Sequence, residues 1–146
     1  MPNNQPGFTL FEILLAVAIL AILISITIPL GLDFYKSQQL EANTQGILQT
    51  LRRAQSKAMS AELDFPWGVY LTNDNYILFR GSSYASRDSQ YDEVFDLPLT
   101  ISLSGISEIV FSKLEGRPNV TGDIILSSSL DVMTININEA GRVNLQ

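Results

Sequence analysis

The chain contains no cysteine and no histidine. That excludes disulfide staples, thiolate nucleophiles, thiol or imidazole zinc sites and imidazole acid-base chemistry. Absence of cysteine fits any redox compartment and so does not place the protein inside or outside the cell. Basic residues are scarce as well. The net charge is -6, and from Glu62 to Gln146 five basic residues face twelve acidic ones, giving 5 - 12 = -7 for that part alone. Arg80, Arg87, Lys113, Arg117 and Arg142 are scattered among acids rather than clustered on one face, so nucleic acid is not an expected partner. Phosphate-cradling and nucleophile-elbow patterns (G-x-G-x-x-G, Walker A, G-x-S-x-G, S-x-x-K) are missing. An enzyme would have to rely on paired carboxylates, and no enzymatic activity is expected.

What the sequence has in excess is apolar residues at one end. The 25 positions from Phe8 to Leu32 carry a single charge, Glu12, and the 20 from Ile13 to Leu32 carry none. As a helix rising about 1.5 Å per residue, those 20 span roughly 30 Å, the hydrocarbon thickness of a bilayer. With only 146 residues in all, the remaining head is too small to bury a helix that is apolar all round. A cleavable secretory signal is the other reading, but Met1 to Gly7 has no lysine or arginine, and the A-x-A pattern of Ala16 and Ala18 lies in mid-run. The segment is therefore expected to be a retained transmembrane helix, with Glu12 either partnered or reaching the headgroups.

Residues Gly7-Phe8-Thr9-Leu10-Phe11-Glu12 lead directly into the apolar run. This stretch resembles the prepilin processing motif of type IV pilins and type II secretion pseudopilins. The resemblance implies that a prepilin peptidase cuts between Gly7 and Phe8 and N-methylates Phe8, and that Glu12 meets the amine of a neighbouring subunit's Phe8 during assembly. It implies a helix break near Pro29 and Gly31, where proline and glycine weaken helix on physical grounds too. The partners it implies are the peptidase, other pilin-like subunits in a hetero-oligomeric filament, and the inner-membrane assembly machinery. The location it implies is the cytoplasmic (inner) membrane, single-pass with an extracytoplasmic head, and then the filament. The uncharged leader departs from the usual basic one. Lys36, on the expected outer side, runs against the positive-inside tendency, so orientation rests on the resemblance. The alternative is a membrane-anchored binding module with an uncleaved signal anchor.

Beyond Pro29 the spacing of Leu40, Ile47, Leu48, Leu51, Ala54, Ala58 and Ala61 predicts an amphipathic continuation of the helix, its stripe facing the head. Arg52, Arg53 and Lys57 read as a solvated face near the helix end. From Pro66 the period changes. Trp67 to Leu71 and Tyr76 to Arg80 flank Thr72-Asn73-Asp74-Asn75 as a hairpin with a four-residue connection, with Trp67 and Tyr70 expected in the head core. Further strands are expected at 94–95, 99–103, 109–113, 122–126, 133–138 and 143–145, and a loop at 81–92. Asp88, Asp92, Glu93 and Asp96 lack the alternation of a calcium loop and read as a solvated acidic loop, so neither metal nor other cofactor is expected. The Asn119-Val120-Thr121 sequon reads as a chance match.

The resulting organisation is α+β: a leader at 1–7, a transmembrane and assembly helix at 8–32, its amphipathic continuation at 33–62, and a β-rich head at 63–146. The segment Leu51 to Glu62, the hairpin around Trp67-Gly68-Val69, and Gly116, Gly122 and Gly141 between strands resemble the GspH/FimT group of minor pseudopilins and minor pilins. That likeness implies a low-abundance initiating or tip subunit of a type II secretion pseudopilus or type IV pilus.

Overall fold

The computed structural model describes residues 7–146, and for 26–31 the backbone only. One long helix, α1 (Leu10–Met59), is followed by eight short strands. The α+β class is as expected. The chain divides into two compact units, Met1–Tyr35 and Lys36–Gln146.

In the first unit the helix starts where Thr9 can cap it: its Oγ1 accepts the Glu12 N–H at 3.2 Å and its carbonyl accepts the Ile13 N–H at 3.2 Å. Leu10, Phe11, Ile13, Leu15 and Ile19, which point to different sides of the helix, are all exposed. Among the described residues, however, no helix is long and apolar enough to cross a membrane. Leu10 to Ser25, at about 1.5 Å per residue, measures about 24 Å against a core of roughly 30 Å. The remainder of the expected span runs through 26–31, whose side chains lie outside the described residues. In the single chain the backbone is helical through Pro29 and Gly31. A proline removes one intrahelical bond, and flanking turns of good helix formers can carry the chain past it.

In the second unit, Leu40, Ile47, Leu48, Leu51, Ala54 and Ala58 of α1 are buried, as their spacing predicts. Thr44, also buried in that stripe, returns its hydroxyl to the Leu40 carbonyl at 2.7 Å, which removes the cost of an unpaired hydroxyl. Ala61 does not extend the stripe. It lies past the helix end in a left-handed conformation (φ 51°) and leads into a 3-10 turn at Glu62–Asp64.

Two antiparallel sheets make up the rest. In the first, β1 (Trp67–Leu71), β2 (Asn75–Arg80), β3 (Glu93–Asp96) and β5 (Glu108–Phe111) stand in the order β3-β2-β1-β5. In the second, β4 (Ser102–Gly105), β6 (Gly122–Ser127), β7 (Val132–Ile137) and β8 (Val143–Leu145) stand in the order β4-β6-β7-β8. The β1–β2 ladder closes at Leu71↔Tyr76 and leaves Thr72–Asp74 between the strands, one residue fewer than the four expected, because Asn75 joins β2 opposite Asp96. Thr72 Oγ1 accepts the N–H groups of Asp74 and Asn75 there. The strand expected at 99–103 is displaced to Ser102–Gly105, because Pro98 and Ile101 close a turn (Ile101 N–H to Pro98 carbonyl, 2.9 Å).

Trp67, Val69, Leu71, Leu78, Ile109 and Phe111 of the first sheet and Ile124, Leu126, Ile135, Ile137 and Val143 of the second bury against the α1 stripe in one core. Tyr70 is not part of it. Period-two alternation puts Tyr70 and Phe79 on the opposite face of the first sheet, where Tyr84 from the 81–92 segment stacks on Tyr70 (centroids 3.9 Å) and meets Phe79 edge-on (5.8 Å). The segment is a folded loop in which Asp88 is exposed as expected, as is Asp96 in β3, while Asp92 is largely covered. Arg87 lies over the Tyr84 ring and donates to Asp92 Oδ2 at 2.7 Å, while Arg80 lies between the Phe65 and Tyr91 rings and pairs with Asp88. Glu108 Oε1 accepts the Tyr84 N–H at 2.9 Å.

Candidate processing and assembly site at the N-terminus

Gly7 precedes the helix, and a Cβ added to it would meet nothing within 4 Å. The chain's own packing thus has no need of a glycine there. Phe8 is 82 % exposed and Thr9 and Glu12 are exposed as well, so every side chain of the motif is offered outward. Phe8, two residues before the helix, and Glu12, in its first turn, lie beside one another. With Ile13, Ala16 and Val17 they line a shallow groove whose walls are almost wholly apolar.

Thr9 and Glu12 are spaced as a capping box, Thr-x-x-Glu, a start signal that the reading of Glu12 as a charge within an apolar run passed over. The N–H of Glu12 takes the Thr9 side of that arrangement. Two consequences follow for the chemistry. The helix N-terminus at Leu10 favours a carboxylate in its first turn, which offsets part of the cost of Glu12 in apolar surroundings. The amine created by a cut after Gly7 would sit on the residue just before the cap, one turn from Glu12 of the same chain. The carboxylate can therefore accept an ammonium either from its own Phe8 or from another copy.

Elsewhere the candidate residues are drawn into structural pairs. Arg53 pairs with Glu93, Lys57 pairs with Glu62 at 2.6 Å and lies over the Trp67 ring, and Arg52 donates to the Val143 carbonyl at 3.0 Å. These contacts tie α1 to both sheets, while Arg52 and Arg53 stay exposed, as a solvated face requires. Asp88, Asp92 and Glu93 each face an arginine, and among the described residues no group of three or more acidic residues is placed to hold a metal. The hydrogen bond that Arg87 donates to Asp92 raises the pKa of Arg87 and keeps it charged. Burial raises the pKa of the Tyr76 phenol, against an opposing hydrogen bond with Thr50.

The family model described as the Prokaryotic N-terminal methylation motif matches residues 2–28. It covers the leader, the Gly7 to Glu12 stretch and most of the apolar run, and leaves the head unmatched. No curated protein and no solved structure matches the chain. The match supports a type IV pilin-like signal, and the motif implies processing by prepilin peptidase and assembly with pilins.

Proposed function

We propose that the chain is a minor pilin or pseudopilin of the GspH/FimT kind: a non-catalytic subunit that initiates or caps a type II secretion pseudopilus or a type IV pilus. Prepilin peptidase cuts between Gly7 and Phe8 and methylates Phe8. The segment Phe8–Leu32 then anchors the subunit in the inner membrane in a single pass, with the head outside, until the assembly machinery moves it into the filament. Glu12 receives the Phe8 amine of a neighbour as the helices bundle. The observation that carries this reading is the coincidence of the matched motif with an open Gly7, an outward Phe8 and a lone carboxylate on an apolar helix. The secretion and pilus machines use the same signal, so the reading stops at the class of filament.

The test is the N-terminal mass of the protein recovered from membranes of cells with and without prepilin peptidase. The expected result is a terminus at methylated Phe8 that reverts to the uncut form without the enzyme. Gly7→Val, which puts a branched side chain at the cleaved bond, leaves the uncut form in both. An intact leader in wild-type cells would overturn the proposal in favour of an anchored binding module.

A further inference from the structure

Two tight turns of the head end in leucines. In the turn closed by Pro98 and Ile101, Leu99 is 90 % exposed. In the β6–β7 turn, the Ser128 N–H reaches the Asp131 carbonyl at 2.9 Å and Ser128 Oγ accepts the N–H groups of Leu130 and Asp131, which leaves Leu130 45 % exposed. Val132, directly after that turn, is 64 % exposed. Turn tips ordinarily carry polar residues, and each of these turns is closed by a backbone hydrogen bond, so the leucines are displayed on fixed supports rather than on slack chain.

The fold gathers the three at one end of the head. Ser102, Ser127 and Val132 form one row across β4, β6 and β7. Both turns also bond to the same stretch of α1: Ser37 Oγ donates to Asp131 Oδ2 at 2.8 Å, and Thr100 Oγ1 donates to Gln39 Oε1 at 3.3 Å. Ser37 is five residues after Leu32, the end of the apolar run, and five residues of chain reach at most about 18 Å even when fully extended. This end of the head is therefore tethered close to whatever surface the apolar segment enters.

We infer that Leu99, Leu130 and Val132 form a lipid-contact rim, on which the head seats in the membrane interface while the subunit is still anchored. The inference rests on the reading of Phe8–Leu32 as that anchor. Leu130 follows three uncharged serines (Ser127, Ser128, Ser129) and Leu99 lies between Pro98 and Thr100, surroundings that suit the interfacial layer. Asp74, Asp96 and Asp131 lie in or beside the turns at this end against one ammonium, Lys36, so the rim fits zwitterionic lipid and is weakened by anionic lipid.

The absence of native cysteine allows single-site labelling of the full chain. Leu99→Cys, Leu130→Cys, Val132→Cys, Val17→Cys and Leu114→Cys would each carry an environment-sensitive fluorophore, reconstituted at low density in phosphatidylcholine vesicles. Leu114 is the control: it is 65 % exposed but sits at the other end of the head's helix, its N–H on the Ala58 carbonyl. Val17 reports the anchor. The expected result is a blue shift and quenching by spin-labelled lipid at 17, 99, 130 and 132 and neither at 114, with the rim signals falling when anionic lipid is added. Quenching at 17 while 99, 130 and 132 behave like 114 overturns the rim and leaves the anchor standing. Rim shifts that appear only at high protein density overturn it in favour of contact with a second copy. A solvent-like signal at 17 overturns the anchor, and the rim with it.

Discussion

At Glu12 two demands meet on one side chain. Its N–H belongs to the cap formed by Thr9, while its carboxylate stands exposed on an apolar helix. Only the carboxylate is needed for pairing with an amine, and the backbone bond survives truncation. Glu12→Ala is thus expected to leave leader removal intact and to abolish most entry into the filament, measured as the ratio of processed to sheared-filament protein. Tyr76 gives a second test at this scale. It lies so close to Gly46 that a Cβ there would come within 2.7 Å of its hydroxyl, and burial raises its pKa above 10.0. A group that is harder to ionise when folded stabilises the fold fully below its unfolded pKa, and this contribution is lost as pH rises through and above about 10. Between pH 9 and 11 the unfolding midpoint of Tyr76→Phe should decline less steeply than that of the wild type, in thermal melts followed by circular dichroism.

The elements were legible to different degrees. The α1 stripe and the β1–β2 hairpin follow from spacing and turn chemistry, since both are local signals. What sequence could not give was the covering of the first sheet's second face. Tyr70 alternates with core residues as a strand requires, but its partner Tyr84 comes from a segment rich in serine and aspartate that carries no periodic signal. Likewise, Asp88 and Asp92 read as solvated until Arg80 and Arg87 are found beside them. Arg80 Nε and Asp92 Oδ1 stay buried without a hydrogen-bond partner, so the aromatic stacking has to offset a polar cost in this segment. Tyr84→Ala should cost about 2 kcal/mol, combining the lost ring contacts with the void beneath them. Urea titration of the detergent-solubilised chain would check it, and would show the 81–92 amides exchanging faster.

For the whole molecule, charge is the most readable property. A head at 5 - 12 = -7 presents repulsion to phosphates, and two of its arginines, Arg80 and Arg87, are held by Asp88 and Asp92. No retention of the protein on immobilised double-stranded DNA is expected at 50 mM salt, about where electrostatic binding is strong. Retention that fell steeply with added salt would contradict this and point to a DNA-handling pilus. Although the Thr9 cap within it was passed over, the N-terminal motif was legible, because processing signals are linear. The clamp of Arg52, Arg53 and Lys57 on the sheets was not, because each partner lies far along the chain or depends on a turn after Met59.

The strand order has a consequence for how the head is built. Each of β2, β3, β7 and β8 pairs with the strand made just before it, and α1 precedes them all. Only β5 returns to a partner laid down well before it, closing on β1 across three intervening strands, and β6 skips back over β5 to β4. A chain delivered in the order of its synthesis can therefore add hairpins as they arrive, and loop closure is concentrated at the single step where β5 docks. That step sets the earliest moment at which the first sheet is complete, and until then β1 exposes an unpaired edge. The interval when a half-made head is most open to wrong pairing thus ends with the arrival of Glu108–Phe111, before the second sheet exists.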